Sequence, residues 1–427
     1  MNYAKLILNK IKNKKIKVGI VGLGYAGLPL LIELFKKKIY TIGFDIDQNK
    51  IKKITEGKNY IKNLDFKFIK KNLKRNLVTS NFKFISDVDI IVLCLPTPLK
   101  AKQVPDMKYI NDTIKTIKKF LRQGQAISLE STTYPGTTKE LIFDKIKKNF
   151  EIGKNFFIIY SPERVDPGNK DFKLNQIPKV VSGISLNCQT VAERFYSLIF
   201  SKIVQAKNTE VAEFSKLLEN IFRSVNIGLV NEMKLLTQKM NLNIHEIIKV
   251  ASSKPFGFMP FYPGPGLGGH CIPIDPFYLT WKAKKFGFET KFIKTAGIIN
   301  NDVTVNIIKK INKLSKNKKV LIIGLSYKKD IDDMRESPSL KIMNDLRKLK
   351  FKVDYHDKYF PILKKNRSFF EKKKSVNLTK ENLKKYDLVV ISTNHTYLNV
   401  SKIYKYSKII LDTRNVYKFS SKKVIPC

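Results

Sequence analysis

The chain has 427 residues, 43% of them hydrophobic, and its formal net charge at pH 7 is +45. This length exceeds what one ordinary domain needs, and the hydrophobic content excludes a chain that stays disordered. No apolar run reaches the roughly 18 residues of a transmembrane helix, so neither a membrane span nor a membrane partner is expected.

The positive charge has two possible explanations, a nucleic-acid partner or lysine-rich solvated surfaces. Of the 81 basic residues only nine are arginine, and the lysines are spread along the whole chain. They form no basic stripe with interleaved aromatic residues. We therefore predict no nucleic-acid partner, although the excess of positive charge should favour anionic small molecules as ligands.

The four cysteines, Cys94, Cys188, Cys271 and Cys427, lie far apart and form no Cys-x-x-Cys pair. The basic N-terminal segment has no long apolar stretch followed by a small-residue cleavage site, so no secretory signal is expected. Together these features predict a protein of the reducing cytoplasm, with free thiols and without a metal site.

Apolar runs alternate with helix-length segments over about the first 200 residues, which indicates a parallel sheet covered by helices. The predicted strands are Ile16–Val21, Tyr40–Asp45, Asp89–Leu95, Ala126–Glu130 and Phe156–Tyr160. They end in the segments GLGYAG, DID, PTP, STTYPGTT and SPERVDPG. Ligands of open α/β sheets bind beyond the carboxyl ends of strands, so these segments are candidates for a site. Glu163 and Arg164 lie in the last one, where by themselves they are better explained as an exposed turn.

The middle of the chain is predicted to be helical, from Asn208 to about Met240, before the loop at Pro263, and over Lys284–Leu314. A second strand-turn-helix pattern then begins in Lys318–Asp330. The strands predicted after it are Lys352–Asp357, Asp387–Thr393 and Lys408–Thr413. The sequence therefore predicts an α/β fold, with two Rossmann-like parallel-sheet domains joined by a central long-helix region. The predicted domains are 1–206, 207–314 and 315–427.

Gly22, Gly24 and Gly27 form the pattern G-x-G-x-x-G between a predicted strand and a predicted helix. Such glycines allow a tight turn, close approach of a pyrophosphate to the backbone, and close packing of helix on strand. Asp45 ends the next strand, where a carboxylate would accept hydrogen bonds from the adenosine ribose. An acid here favours NAD over NADP, because a 2′-phosphate would meet a negative charge.

Lys216 and Asn220 lie four residues apart in the predicted long helix and share a face, which Thr209, Glu213 and Arg223 extend. A solvated stripe and a polar face turned into a cleft both fit this pattern. Periodicity alone favours the solvated stripe.

Cys271 and Asp275 lie in the segment PGPGLGGHCIPIDP, which is rich in proline and glycine. A buried inert cysteine is improbable in such a loop, whereas a thiolate is a strong nucleophile whose pKa neighbouring positive charge can lower. His270 could be a general base by residue type, and a packing or surface role fits it equally well. The sequence therefore predicts nucleophilic chemistry at Cys271.

At these residues the chain resembles the UDP-sugar 6-dehydrogenases, the UDP-glucose/GDP-mannose dehydrogenase family, over nearly its full length. The matching segments are GLGYAGLPL, GFDID, PTP, ESTTYPGTT, SPERVDPGN, EFSKLLENIFRSVNIGLVNE, PGPGLGGHCIPIDP and SYKKDIDDMRESPS. The resemblance implies a four-electron oxidation, in which a sugar C6 alcohol becomes an aldehyde and then a carboxylate while two NAD molecules are reduced.

The resemblance also implies roles for individual residues. Cys271 would add to the aldehyde as a nucleophile, giving a thiohemiacetal and then a thioester. Glu163 would assist thioester hydrolysis as a general base, and Thr132 would lie beside the nicotinamide. Lys216 and Asn220 would hold the C6 oxygen, so the polar helix face is interpreted as functional on this ground. Asp275 is another implied catalytic residue, and it would orient a water molecule or Lys216.

The family pattern further implies binding residues. The implied cofactor residues are Gly22, Gly24, Tyr25, Ala26, Gly27, Asp45, Pro96, Thr97, Thr132 and Arg335, the last reaching the diphosphate of NAD. The implied substrate residues are Glu163, Arg164, Lys216, Asn220, Arg223, Phe261, Tyr262, Gly266, Tyr327 and Lys328. The C-terminal part would close over the UDP-sugar, and the long helix would form the core of a homodimer or higher homo-oligomer.

The sugar is predicted from the same resemblance. The motifs are more similar to the bacterial branch that oxidises UDP-N-acetylhexosamines for capsule and O-antigen synthesis, and His270 stands where UDP-glucose enzymes more often have serine. A UDP-N-acetylhexosamine of the gluco, galacto or manno series is therefore the expected substrate, with UDP-glucose as the alternative. A further alternative is an inactive NAD-binding regulatory protein, although such a relative would be expected to have lost one of the catalytic residues.

Overall fold

The structure, a computed structural model, describes residues 1–61, 64–100, 103–165, 172–269, 272–363 and 372–427. The chain forms two compact units. The first contains residues 1–219 and 281–287, and the second contains residues 220–280 and 288–427. Each unit contains one main sheet of mostly or entirely parallel strands with helices, which confirms the predicted α/β fold. The domain boundaries predicted after residues 206 and 314 stay predictions.

Eight strands make up the sheet of the first unit. They are β1 (Val18–Val21), β2 (Thr41–Phe44), β3 (Leu77–Thr79), β4 (Ile90–Leu93), β5 (Gln125–Leu129), β6 (Phe156–Tyr160), β7 (Lys179–Gly183) and β8 (Ile203–Gln205). Their order in the sheet is β3-β2-β1-β4-β5-β6-β7-β8. Neighbours pair in parallel except β6 and β7, which are antiparallel.

The five strands predicted for this part are all present. The predicted strand at Phe156–Tyr160 has the observed bounds, and the other four differ by one or two residues at an end. The sequence analysis missed β3, β7 and β8. Two of these are only three residues long, Leu77–Thr79 and Ile203–Gln205, too short for an alternation of apolar and polar residues to be recognised.

Helices cover this sheet. They are α1 (Tyr3–Lys12), α2 (Gly27–Lys36), α3 (Gln48–Glu56), α4 (Phe66–Asn72), α5 (Lys108–Ile117), α6 (Asp144–Ile146, after a π-helical turn at Lys139–Phe143) and α7 (Leu186–Tyr196). The Asp47 side chain caps α3, and the Ser185 side chain caps α7. Ile7, Leu31 and Phe195 belong to one buried cluster, so the helices bury their apolar faces together with the strands.

Four helices follow. They are α8 (Thr209–Lys239), α9 (Ile244–Ala251), α10 (Asp275–Lys284) and α11 (Lys291–Leu314). The stretches predicted to be helical contain α8, α9 and α11, whereas α10 was not predicted. Among the described residues between 206 and 318 there is no strand, in agreement with the sequence. The helix α8 begins in the first unit, and its residues from Asn220 onward belong to the second.

The remaining elements of the second unit are an α/β arrangement. They are β9 (Lys319–Ile323), α12 (Pro338–Lys348), β10 (Lys352–His356), β11 (Ile362–Leu363), β12 (Lys373–Lys374), α13 (Lys380–Lys384), β13 (Leu388–Ile391), α14 (Val400–Tyr406), β14 (Ile409–Asp412) and β15 (Val424–Pro426). Five parallel strands form the sheet β10-β9-β13-β14-β15, and β11 pairs with β12 in a separate antiparallel ladder.

The second strand-turn-helix pattern differs from the prediction. After β9 the chain does not enter a helix at once, and α12 begins only at Pro338. The reason is local, because Ser337 caps the helix through the Ser339 N–H and Pro338 occupies its first turn. The long segment between strand and helix carries Tyr327, Lys328 and Arg335.

Candidate active site

The G-x-G-x-x-G segment joins β1 to α2, and two of its glycines are required by packing. Gly22 has a φ of +96°, and a Cβ on it would lie 2.3 Å from the carbonyl oxygen of Cys94. A Cβ on Gly27 would lie 2.0 Å from the carbonyl oxygen of Gly22. Gly24 has nothing within 4 Å of its Cβ position, so the space beside it is open to a ligand.

The start of α2 fits a diphosphate. Ala26 occupies the cap position and supplies no side-chain hydrogen bond to the first amides of the helix. These amides, at the positive end of the helix dipole, therefore suit an anion. Tyr25 and Ala26 are half-buried beside them.

Asp45 follows β2 directly and is only 6% exposed. Its Oδ2 accepts a hydrogen bond from the Leu23 N–H over 2.9 Å, which ties the carboxylate to the glycine segment. Lys50 Nζ lies 3.0 Å from the same oxygen. Open space at Gly24, uncapped helix amides and this carboxylate are together the features an NAD site needs, so the residues present fit the cofactor.

The segments after β4 and β5 are held together in the first unit. The Leu95 N–H donates to Ser131 Oγ, and Ser131 Oγ donates to the Leu95 carbonyl, each over 2.8 Å. Pro96 is exposed, Thr97 is buried, and Thr132 is half-buried. Ser131 thus fixes the backbone of Leu95, the residue directly before Pro96 and Thr97.

Glu163 is oriented by its own turn. Its Oε1 accepts hydrogen bonds from the N–H groups of Arg164 and Val165, over 2.8 and 2.6 Å. Its Oε2 lies 3.9 Å from Lys179 Nζ. The segment from residue 166 to residue 171, the rest of this sequence motif, lies outside the described residues.

A carboxylate that the sequence analysis did not single out links this turn to α8. Arg164 pairs with Glu219 over 2.8 Å and donates to the Pro178 carbonyl over 2.7 Å. The same Glu219 lies 4.0 Å from Lys216 Nζ. Lys216 is buried, at 8% exposure, so the solvated-stripe interpretation of its helix face is wrong for this residue.

Glu213, one turn earlier on α8, holds the segment before α6. Its Oε1 accepts from the N–H and hydroxyl of Thr138, over 2.8 and 2.7 Å, and its Oε2 accepts from the Gly136 N–H over 2.6 Å. Burial raises the pKa of Glu213 to about 7, although these hydrogen bonds act against the shift. Thr209 is buried as well, whereas Arg223 is exposed.

In the second unit Asn220 and Asp275 are in contact. The Asn220 side-chain amide donates to Asp275 Oδ2 over 2.5 Å, and both residues are buried. Asp275 is the first residue of α10, four positions after Cys271. Cys271 and His270 themselves lie outside the described residues.

The loop before Cys271 is fastened at three points. The Gly264 N–H donates to Asn231 Oδ1 over 3.2 Å, and Thr304 Oγ1 donates to the Pro265 carbonyl over 2.8 Å. The Gly269 N–H donates to the Arg335 carbonyl over 2.9 Å. The chain entering Cys271 is therefore held in place up to two residues before the thiol.

Tyr327 explains the glycines at the end of this loop. A Cβ on Gly268 would lie 2.4 Å from the Cβ of Tyr327, and one on Gly269, with φ +85°, would lie 3.0 Å from the ring. A Cβ on Gly266, with φ +139°, would lie 2.5 Å from Thr304 Oγ1. Only glycine allows the loop to pack this closely.

The other predicted binding residues of the second unit are more open. Tyr327, Lys328 and Phe261 are half-buried, and Tyr262 is exposed and stacks on His245 with ring centroids 6.2 Å apart. The guanidinium of Arg335 is paired with Asp333 over 2.6 Å. Its predicted contact with the cofactor diphosphate stays a prediction.

Across the described ranges, no group of three or more His, Cys, Asp or Glu side chains is arranged to hold a metal ion. No helix in the described part of the chain combines the length and the apolar character that crossing a membrane requires.

Four further residues near these groups were not predicted: Lys50, Glu130, Lys179 and Glu219. The segment ESTTYPGTT contained Glu130 and the long helix contained Glu219, each within two positions of a predicted residue. Lys179 has no sequence signal, because it lies on β7, a strand that the analysis missed. It pairs with the buried Glu130 over 3.2 Å.

Comparison with known families accounts for nearly the whole chain. Residues 16–200 match the NAD-binding domain of the UDP-glucose/GDP-mannose dehydrogenase family, residues 210–302 its central domain, and residues 321–419 its UDP-binding domain.

Individual relatives agree with this match. The UDP-N-acetyl-D-glucosamine 6-dehydrogenase of Pseudomonas aeruginosa is 32% identical over 354 residues, covering 81% of this chain and 83% of the relative. The UDP-N-acetyl-D-mannosamine dehydrogenase of Methanocaldococcus jannaschii is 33% identical over 421 residues, covering 94% and 92%. The solved structure of the UDP-D-ManNAc dehydrogenase from Pyrococcus horikoshii has a TM-score of 0.85 at 29% identity, covering 96% of this chain and 98% of that one.

Proposed function

Because the chain belongs to the UDP-glucose/GDP-mannose dehydrogenase family, we propose that it oxidises the C6 alcohol of a UDP-N-acetylhexosamine to a carboxylate. It is an NAD-dependent oxidoreductase of nucleotide sugars. The observation that carries the proposal is the buried hydrogen bond between Asn220 and Asp275, directly after the loop that contains Cys271.

The overall reaction balances as follows. One sugar alcohol, one water and two NAD⁺ give one sugar carboxylate, two NADH and three protons. The bound NAD supplies the hydride acceptor in each of the two oxidations. All other requirements fall on the protein, which must take protons from oxygen, supply a nucleophile and activate water.

The first oxidation needs removal of the C6 hydroxyl proton and stabilisation of the charge on that oxygen. We assign this to Lys216 and Asn220, with Asp275 as proton acceptor through a water or the lysine. The support is the burial of Lys216 and the hydrogen bond from Asn220 to Asp275. Removing one such preorganised donor costs about 3–4 kcal/mol in the barrier of other enzymes.

The second oxidation needs covalent catalysis. The thiolate of Cys271 adds to the aldehyde carbon, and the resulting thiohemiacetal loses hydride to become a thioester. Water then adds to the thioester carbonyl while Glu163 takes its proton, the carbon–sulfur bond breaks, and the thiolate leaves. The orientation of Glu163 by two backbone amides supports its role as the base.

The choice of sugar rests on similarity. Both relatives described above, and the solved structure, are named for N-acetylhexosamine nucleotides. A pocket built around an acetamido group leaves polar atoms unpaired when a 2-hydroxyl enters, which costs about 1–3 kcal/mol per group. UDP-glucose is the alternative substrate. The alternative class of protein is an inactive NAD-binding regulator. The presence of every proposed catalytic residue in the sequence argues against it.

Assembly and pathway are part of the proposal. The exposed side chains of α8 include Leu218, Phe222, Leu229 and Leu236, each about half exposed and spaced by four or seven residues. Such an apolar stripe on one helix face supports a homodimer. A role in the synthesis of a surface polysaccharide, in the cytoplasm, is inferred from the N-acetylhexosamine product class.

A coupled assay tests the function. Purified protein is incubated with NAD and, separately, with UDP-glucose and the three UDP-N-acetylhexosamines, while NADH and sugar acid are measured. We expect the highest kcat/KM with an N-acetylhexosamine and two NADH per sugar. Preference for UDP-glucose would overturn the substrate only, one NADH per sugar would overturn the mechanism, and no turnover would favour the regulator.

A further inference from the structure

We propose that Glu130 and Lys179 are positioning residues that act as a buried pair on Glu163 and govern its readiness to activate water. This inference rests on the proposed role of Glu163 as the base of thioester hydrolysis. It concerns residues of the first unit only.

The pair is enclosed by the protein. The side chains of Glu130 and Lys179 are 0% and 3% exposed, and Lys179 Nζ lies 3.2 Å from Glu130 Oε1. The hydroxyl of Tyr196 donates to the same Oε1 over 2.7 Å. Lys179 Nζ also donates to the Pro162 carbonyl over 3.2 Å, at the start of the turn that carries Glu163.

Lys179 is shared between two carboxylates. Its Nζ is 3.2 Å from Glu130 Oε1 and 3.9 Å from Glu163 Oε2. The Glu163 N–H also donates to the Glu130 carbonyl over 3.2 Å, so the backbones of the two acids are tied together. A change in the charge of Glu130 therefore changes the electrostatic interaction between Lys179 and Glu163.

A purely structural role explains the pair poorly. Within the described residues, Glu130 Oε2 is buried and has no hydrogen-bond partner. A half-satisfied buried carboxylate is costly, and apolar residues in place of a buried ion pair are often equally or more stable. Natural proteins keep such features mainly where they serve a site.

The charged and titratable groups around Glu130 come from four elements. They are Cys94 after β4, Glu163 after β6, Lys179 on β7 and Tyr196 on α7. Burial raises the pKa of Glu130 to about 7, Glu163 adds to the rise, and Lys179 opposes it. Burial and both acids also raise the pKa of the Cys94 thiol. Glu130 therefore changes charge near neutral pH.

The direction of the effect on Glu163 follows. With Glu130 ionised, Lys179 is paired with it, and Glu163 is left to accept a proton from water. With Glu130 neutral, the ammonium charge acts on Glu163 alone and opposes that proton transfer. β7 runs antiparallel to β6, and this direction brings Lys179, the first residue of β7, beside the turn after β6.

Two substitutions should change the pH dependence of thioester hydrolysis in different ways. The rate of thioester hydrolysis is measured by rapid quench and intact-mass detection of the Cys271 adduct, from about pH 5.5 to pH 8.5. The wild-type rate should rise as Glu130 ionises, near pH 7. Glu130→Gln keeps a neutral side chain at every pH, so this rise should disappear. Lys179→Met removes the cation that opposes protonation of Glu130, so the midpoint of the rise should move up by about one unit. Lys179→Arg should restore the wild-type midpoint.

A matched surface pair is the control. Glu151 and Lys154 are 2.8 Å apart and largely exposed in the same unit, so Glu151→Gln should leave the midpoint unchanged. If Lys179→Met does not fold, Glu130→Gln alone decides. A rise near pH 7 that persists in a folded Glu130→Gln, or a midpoint that does not move up in a folded Lys179→Met, would overturn the inference.

The failure of the proposed function would look different. Glu163→Gln should accumulate the Cys271 thioester. Suppose that the thioester accumulates in Glu163→Gln while the pH dependence of the Glu130 and Lys179 variants equals that of the wild type. The Glu130–Lys179 pair would then have no role, and the proposed deacylation step would remain. Thioester hydrolysis by Glu163→Gln at the wild-type rate would overturn that step and, with it, the role of the pair.

Discussion

Asn220 on α8 donates its side-chain amide to the carboxylate of Asp275 on α10, over 2.5 Å and in a buried environment. The two residues are 55 positions apart in the sequence, and Cys271 lies between them. The contact joins the second-unit part of α8 to the first residue of α10.

We expect Asp275→Asn to lower kcat by about 10²–10³, because it removes the proton acceptor while keeping the shape of the side chain. Melting temperature should change little, since the amide can still accept from Asn220. Steady-state kinetics and thermal unfolding of the same samples check this. An Asp275→Asn enzyme with wild-type kcat would exclude Asp275 from proton transfer.

Replacing Cys271 by alanine should abolish acid formation, because no other nucleophile is proposed for the aldehyde. NAD affinity, measured by fluorescence titration, should remain within about threefold of wild type, or roughly 0.65 kcal/mol. Cys427→Ala serves as the control for loss of a thiol elsewhere in the chain and should retain activity. Normal turnover by Cys271→Ala would contradict the covalent mechanism.

The two kinds of glycine in the cofactor segment should respond differently to alanine. Gly22→Ala places a Cβ 2.3 Å from a backbone oxygen at a φ of +96°, so it should destabilise the protein by roughly 1–3 kcal/mol. Gly24→Ala meets no protein atom and should leave the melting temperature unchanged, yet weaken NAD binding at least tenfold, or about 1.4 kcal/mol. Equal loss of stability in both variants would argue against the open space as a cofactor site.

Asp45 should set the choice of cofactor. We expect kcat/KM with NAD to exceed that with NADP by at least about tenfold, because the carboxylate repels a 2′-phosphate, and Asp45→Asn to narrow the ratio. Lys50→Ala should widen it, since Lys50 lies 3.0 Å from this carboxylate and offsets its charge. Equal use of both cofactors by the wild type would contradict the role given to Asp45.

Glu213 should make stability depend on pH. Its pKa is raised to about 7 in the folded protein from 4.5, so its contribution to stability is fully present below pH 4.5 and is lost as the pH rises through 7. Glu213→Gln removes this dependence at the expense of one hydrogen bond. The free energy of unfolding of the variant should therefore improve relative to wild type by up to about 1.4 kcal/mol per pH unit in that interval. The free energies of unfolding of both proteins are measured by chemical denaturation at pH 5, 6, 7 and 8. If they change with pH in parallel, the role given to Glu213 is wrong.

The fold was largely readable from local patterns. Continuous apolar runs predicted the buried strands, and polar positions at helical spacing predicted α8. The position of Asp45 at a strand end followed from one such pattern. The strands that were missed are β3, β7, β8, β11, β12 and β15. All but β7 have only two or three residues, and pairing partners rather than local sequence stabilise such short extended segments.

Some residues of the site were likewise readable from local sequence, and others were not. By itself the sequence determined the glycine segment, Asp45, the rigid loop at Cys271 and the helix spacing of Lys216 and Asn220, because each depends on residues only a few positions apart. Only the tertiary structure decided that Glu219 joins Arg164 to Lys216, and that Lys179 lies between Glu130 and Glu163. The antiparallel pairing of β7 and the burial of these charges produce that arrangement. Strand direction and burial are fixed by the order of the whole sheet, which no single segment of the chain encodes.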